Sequence, residues 1–420
     1  MFKKSLAAMV LFGTMAVPAV AQAAPQAAGV QLAWVDGKVK VTWTETGAAA
    51  NTISLRRPGV ADKVLGTTTA DGANQLLVAP AALEPTHDPA ATARIVVSGG
   101  GSDASSAAFD RYIRGADGFD TGIVGGNVLA WAANPEASDP TPNDPLDVNQ
   151  VRYIPRLTFA GCKIVELPAT TAPNGQAANQ GQPFNFRVYT ASEWGESLLG
   201  VQHVRTSAIT MSAPASTKFG ATINITGGVS MRHIAESGST CVNADDPSKD
   251  KTQVSLQARN SATGKWYSVG ARWTDAQGKY SIPVTNPGAR QYRTAVDPRS
   301  AYSAEVQYPS ITAAKEIRAT TKVVETKFIS PTIMIGQQPN AYLRVEPAGS
   351  QQAALQFKNA SGVWQGLMYK TLSSGRGLSG PFAFNRLGET QFRWWVPVSA
   401  SSTGLPVDAV YSNTFALNVL

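Results

Sequence analysis

Tandem all-β sandwiches are the fold class predicted by this 420-residue sequence, and three observations carry the prediction. Short runs rich in Val, Ile, Thr and aromatics alternate apolar with polar, and Gly, Pro, Asn and Asp separate them. Helical periodicity is nearly absent after residue 23. Similar strings also recur about one domain length apart near the C-terminal end, which marks tandem domains rather than a solenoid of short repeats. Hydrophobic content of 43% is enough for packed cores, so wholesale disorder is excluded. With 37 Gly and 26 Pro the chain is far from a collagen composition. Three His and two Cys exclude a His-rich metal site and a disulfide-dense scaffold.

Residues 1–23 read as an export signal. Lys3 and Lys4 precede the apolar run Ser5 to Val17, and Pro18 ends it. Ala21 and Ala23 fit a cut before Ala24, and Ala19 and Ala21 fit one before Gln22. The run is shorter than the roughly 20 residues of a membrane span, so no transmembrane anchor is expected. The remaining length divides into four expected domains, 24–111, 112–208, 209–314 and 315–420. In the first, Val30 to Trp34 and Lys38 to Trp43 flank Asp36-Gly37, a hairpin signal, with Val39, Val41 and Trp43 on one face. Asn51 to Arg56, Ala93 to Val97 and Ser105 to Phe109 supply further strands. In the second, Gly126 to Trp131 is a strand and the Pro- and Asp-rich stretch Asn134 to Asn149 is a loop. Val151 to Ile154 and Cys162 to Leu167 are expected as central strands.

The run Phe184-Asn185-Phe186-Arg187-Val188-Tyr189-Thr190-Ala191, with its turn at Trp194-Gly195 and Ser197, resembles the penultimate strand of fibronectin type III domains. Phe184 stands where that family carries its corner Tyr, so the resemblance extends to the fold and not to the corner hydrogen bond. Arg94 to Ser106, with Gly99-Gly100-Gly101 in the turn, follows the same scheme. In the third and fourth domains, Leu256-Gln257 and Gly264-Lys265-Trp266 match Leu355-Gln356 and Gly362-Val363-Trp364, and Gln291-Tyr292-Arg293 matches Gln391-Phe392-Arg393. These two resemble the bacterial immunoglobulin-like domains of secreted surface proteins and polysaccharide-degrading enzymes. Thr274-Asp275 through Tyr280 keeps that family's hairpin, whereas Ser373-Ser374-Gly375-Arg376-Gly377 departs from it. Trp266 and Trp364 are expected as plugs between two sheets, Leu256 and Leu355 as inward residues, and Gly278 at a positive φ.

The chemistry-bearing motifs are mostly missing. There is no His-Glu-x-x-His, no Gly-x-Ser-x-Gly and no phosphate-cradling Gly loop ahead of a helix. His87, His203 and His233 fall in different expected domains. No catalytic residue, cofactor or metal site is therefore assigned. The acidic stretches Asp139, Asn143, Asp144, Asp147 and Asn243, Asp245, Asp246, Asp250 lack EF-hand spacing and read as solvated loops rather than calcium sites. Formal charge is +7, with the basic residues scattered, so no nucleic-acid stripe is read; ordinary solvated charge stands against a mild attraction to anionic wall polymers. Cys162 and Cys241 are 79 residues apart; they form either one disulfide across an expected domain boundary or two free thiols. Trp194, Trp394 and Trp395 are the candidate ligand-facing aromatics. Trp394 and Trp395 are neighbours in a strand, so one faces the core and one faces out. An outward aromatic stacks on a sugar or lies in a seam between domains.

The sequence thus points to a secreted, monomeric, non-catalytic structural, adhesion or ligand-binding protein. Its expected partners are an extracellular polysaccharide, a cell-wall polymer or another surface protein. An accessory polysaccharide-binding module is the alternative, and a glycan hydrolase the third reading.

Overall fold

A computed structural model describes residues 24–135, 141–148, 150–300 and 305–420. The expected export signal, 1–23, lies outside the described residues. The described chain is almost entirely β, and its helical segments are the three 3-10 turns Pro80–Leu83, Ala160–Cys162 and Pro247–Lys249. Among the described residues, no helix is long and apolar enough to cross a membrane. The chain forms two compact units.

The first unit takes Met1–Asp117, Pro135–Tyr153 and Tyr189–Leu199. Ala27–Val35, Lys38–Glu45 and Gln75–Val78 make one sheet. Val60–Thr68, Asn51–Arg57, Thr92–Gly99 and Ser102–Ser105 make the other, with Phe109–Asp110 on Thr92–Gly99. Asp36 and Gly37 both take positive φ, as a two-residue hairpin turn of the right twist requires. Val39, Val41 and Trp43 face Ile53, Leu55 and Ile95 in one core. The expected strand from Ser105 to Phe109 is broken at Ser106. Its hydroxyl accepts from the Ile95 N–H and donates to the Ala107 carbonyl, so Ser106 leaves the ladder while staying buried. Arg114 and Glu193, both nearly buried, pair at 3.0 Å, and Arg114 also lies 3.4 Å from Asp147.

The second unit takes Gly118–Asn134, Ile154–Val188 and Gly200–Leu420. Phe119–Val124, Val128–Ala133 and Asn174–Ala178 form a small antiparallel sheet. A larger sheet carries the strands containing Phe186 and Val204 on to Thr222–Ser237 and Thr240–Asp245. The expected central strand Cys162 to Leu167 is corrected here. Cys162 closes a 3-10 turn at positive φ, and only Ile164–Glu166 pairs, as an exposed edge strand. Cys162 is bonded to Cys241 in a disulfide.

The two matching stretches of sequence fold as matching sandwiches, two antiparallel sheets over an alternating core in the manner of immunoglobulin-like and fibronectin type III domains. In the earlier one Gln253–Arg259 is flanked by Tyr267–Trp273 and Arg290–Val296. Its facing sheet pairs Thr222–Ser237 with Lys279–Thr285. In the later one Gln351–Lys358 is flanked by Trp364–Leu372 and Gly388–Val396, opposite Lys322–Phe328, Ala341–Glu346 and Arg376–Leu378. Each is closed by a parallel pair: Ser216–Lys218 on Lys315–Thr320, and Thr332–Ile333 on Phe415–Val419. Leu256 and Leu355 are fully buried. One glycine recurs. Gly278 and Gly375 both take positive φ, and the carbonyl of each accepts from a strand N–H, that of Val229 and Val345 respectively, at 2.8 Å. A Cβ there would come within 2.5 Å of that same valine's carbonyl oxygen, so no larger residue fits. The hairpin at Ser373 to Gly377, which departs from the expected pattern in sequence, thus keeps the same contact.

Segment 399–408 of the later sandwich reaches back to the end of the earlier one. Ala289 N–H donates to Pro406 O at 2.8 Å, Asp408 N–H to Ala319 O at 2.7 Å, and Arg318 pairs with Asp408 at 2.7 Å. Gly288 lies against buried Leu405, and a Cβ on it would sit 2.4 Å from the Leu405 Cβ. A polar cluster occupies another part of this unit. Asn185 accepts from His203 Nδ1 at 2.7 Å and donates to Glu236 at 2.7 Å, and Arg187 pairs with Glu236. Burial holds the His203 ring below the ordinary histidine range; the charges of His233 and Arg205 act in the same direction, and those of Glu236 and Glu305 oppose them. Burial works against the Glu236 charge, but hydrogen bonds from Arg187 and Asn185 outweigh it and leave its carboxyl below the ordinary range.

Three outcomes follow from this packing. Gly288→Val is expected to destabilise the protein by about 1–3 kcal/mol in denaturant unfolding, while Gly349→Ala, at open space and without positive φ, is neutral. Cys162→Ser with Cys241→Ser removes a constraint on a long unfolded loop and is expected to cost up to roughly 4 kcal/mol, read as a lowered unfolding midpoint. The unfolded chain binds protons at both His203 and Glu236 more readily than the folded chain. Stability is therefore full at neutral pH, falls as pH drops below the ordinary histidine range, and falls again as Glu236 protonates. Melting temperatures measured from pH 7 to pH 5 are expected to decline, and His203→Gln to flatten that decline.

Candidate functional site

Cross-strand register builds an aromatic row on the outer face of the later sandwich. Trp395 lies opposite Tyr411 on one side and Ala354 on the other, and Ala354 lies opposite Tyr369. Opposed residues in an antiparallel pair share a face, so the row reads Tyr369, Ala354, Trp395, Tyr411 across four strands. Tyr369 is 70% exposed and Tyr411 52%, and Trp395 is half-buried between them. Ala354, between Tyr369 and Trp395, is buried at 5% exposure.

The neighbouring row carries a cation. Gln356 lies opposite Arg393 and accepts from its Nε at 2.8 Å. The Arg393 guanidinium carbon sits 4.3 Å from the Trp364 ring centre and 3.9 Å from that of Tyr411. The earlier sandwich repeats this clamp. Arg293 donates to Gln257 at 2.7 Å and lies 4.2 Å over Trp266, while Arg259 lies 4.6 Å over the same ring. Trp266 and Trp364 are therefore not plugs between sheets, as the sequence predicts. They are half-buried on the outer face beneath arginines, and Tyr292, Phe392 and Trp394 fill the interior instead.

The reason lies in a bulge that both repeats share. The register shifts between Leu256 and Gln257, and again between Leu355 and Gln356. Trp364 and Tyr369 are an odd number of residues apart, so strict alternation puts them on opposite faces. The extra residue restores them to one face. The aromatic row itself is not repeated: its counterparts in the earlier sandwich are Ala271, Ser255, Ala295 and Ile311. That sheet has one strongly exposed Trp, Trp273 at 63%, opposite Gln253.

Of the three aromatics named from sequence, Trp395 alone faces outward. Trp394 is 0% exposed, because alternation turns it into the core. Trp194 is 5% exposed and packs in the first unit's core, 5.4 Å edge-on to Trp34 and 6.0 Å from Phe109. Neither is a ligand-facing group. Tyr369, Tyr411, Arg393 and Trp273 were missed, since their significance depends on which strand lies beside which.

The other candidate positions serve the fold. Asp144 accepts from the N–H groups of Asp110 and Leu146. Asp246 pairs with Arg205 at 2.5 Å and with His233 at 3.4 Å. Asp139 lies outside the described residues. Among the described residues no group of three His, Cys, Asp or Glu side chains is placed to hold a metal. The first unit brings His87, Asp117 and Ser197 to the wall of one open cavity of about 360 Å³, but among the described residues neither the His87 nor the Ser197 side chain has a hydrogen-bond partner there.

No protein-family model matches the chain, and no curated protein matches it in sequence. Among solved structures it is similar to a tetra-tandem repeat from the extending region of a large adhesion protein, at 14% identity and a TM-score of 0.28, covering 94% of this chain and 100% of that one. It is similar to trypsin-activated alpha-2-macroglobulin from Escherichia coli at 7% identity and a TM-score of 0.19, covering 93% of this chain and 42% of that one. A third likeness, to the FN1–FN3 domains of chicken CNTN1, has 14% identity and a TM-score of 0.22, covering 70% of this chain and 98% of that one. Similarity at this level carries no functional assignment.

Proposed function

We propose that the chain is an exported, non-catalytic binding protein of four sandwich domains, released from its signal at residues 1–23, and that it holds an extracellular polysaccharide. The row Tyr369, Trp395 and Tyr411 carries this reading. Aromatic side chains are normally spent in the core or under a partner. Here they share one open sheet face whose counterpart in the sister domain holds small and aliphatic residues. A sugar ring presents an apolar face to such a row and its hydroxyls to groups beside it, among them Gln356 and Gln352. Four strands at their usual spacing span roughly 14 Å, the length of a short oligosaccharide. An adhesive or spacer role fits the same tandem-sandwich architecture.

Affinity electrophoresis of the full chain through gels containing soluble glycans tests this. Retardation is expected in at least one glycan, with Trp395→Ala and Tyr369→Ala each weakening it about tenfold or more and Trp273→Ala leaving it unchanged. Failure of every glycan to retard the protein, or turnover of any of them, overturns the proposal.

A further inference from the structure

We propose that the glycan on this face is a linear polysaccharide bearing carboxylates, a polyuronate, and that Arg393 is the group that reads its charge; the inference rests on the aromatic row being a glycan platform. Arg393 is prepared for an anion and supplied with none. Its Nε is engaged by Gln356, and its guanidinium lies against the rings of Trp364 and Tyr411. Both Nη nitrogens are left without an acceptor among the described residues. A guanidinium fixed at Nε and along its plane loses little freedom on binding and offers a two-pronged fork to a carboxylate.

The surrounding charges agree. The outward positions of Gln351–Lys358, Trp364–Leu372 and Gly388–Val396 carry Lys358 and Arg393 as cations. The one carboxylate on that face of these strands, Glu389, is four residues along the strand from Arg393, roughly 13 Å away. Arg393 sits two residues from Trp395, roughly 7 Å along the strand. A chain of sugars lying across the aromatic row therefore brings its substituents within reach of the fork. The sister domain repeats the motif without the row: Arg259 and Arg293 share Trp266, and their Nη nitrogens too have no acceptor among the described residues. Burial and the charge of Arg259 lower the Arg293 pKa, as two cations without a counter-ion require. A flat, open sheet face with spaced rings suits an extended chain of flat units better than an acidic peptide, which would use a groove or a free strand edge.

The test compares polygalacturonate with its fully methyl-esterified form, which keeps the backbone and masks the charge, using the full chain in isothermal titration. Polygalacturonate is expected to bind at least tenfold tighter, with an affinity that falls as salt rises. Arg393→Gln is expected to erase the preference, so that polygalacturonate and the ester bind equally, and Arg393→Lys to restore part of it. Trp395→Ala is expected to abolish both. Equal binding of the two polymers, unchanged in Arg393→Gln, overturns the charge reading and leaves the glycan platform standing. Loss of the platform reading has a different signature: neither polymer binds and no neutral glycan binds. Binding of poly-glutamate as tight as that of polygalacturonate, insensitive to Trp395→Ala, overturns the proposal in favour of an acidic protein partner.

Discussion

The whole architecture depends on one constraint, that apolar side chains on antiparallel strands must be closed between two sheets. Leu256 and Leu355 lie fully buried at matching places, and Tyr292, Phe392 and Trp394 interleave with them. Once alternate residues are committed inward, the others are released to the outer face with a register the core has already set. The outer face is thus not free to choose which residues stand side by side. It inherits its rows from the interior, and the bulge after Leu355 is the device that changes the inheritance by one residue.

The two matching sandwiches separate what both copies keep from what one copy alone carries. Both keep the glycine pressed against a strand carbonyl, the glutamine that clamps an arginine, and the tryptophan beneath it. The clamp is part of the repeated surface, as the buried leucines are part of the repeated core. The aromatic row occurs in one copy alone, in positions where the other copy holds Ala271, Ser255, Ala295 and Ile311. Divergence has fallen on residues that neither fill the interior nor hold the clamp.

Much of this was legible in the sequence, because alternation and turn chemistry are local. The Asp36-Gly37 hairpin, the inward Val39, Val41 and Trp43, and the kinship of Leu256-Gln257 with Leu355-Gln356 all follow from neighbours within a few residues. The illegible parts depend on distant partners. Trp194 stands in what reads as an exposed turn, and its burial comes from Trp34 and Phe109 far earlier in the chain. Trp266 and Trp364 have the size of core plugs, but the bulge turns them outward and arginines from other strands of the same sheet cover them. Cys162 lies in a run with strand composition, yet the chain turns there at a positive φ. Alternation puts one of Trp394 and Trp395 outward without saying which, and no local pattern tells that Tyr369 and Tyr411 will lie on the strands around it.

The parallel pairs that close the two sandwiches have a mechanical meaning. Thr332–Ile333 lies near the entrance of the last sandwich and Phe415–Val419 is its final strand, and they run side by side in the same direction. A pull on the two ends of that sandwich drags these strands past each other along their length. The backbone bonds between them then share the load together instead of parting one after another, as they would in a hairpin peeled from its tip. Ser216–Lys218 and Lys315–Thr320 give the preceding sandwich the same arrangement. Under tension applied at its two ends, each sandwich would load this lengthwise seam before its core.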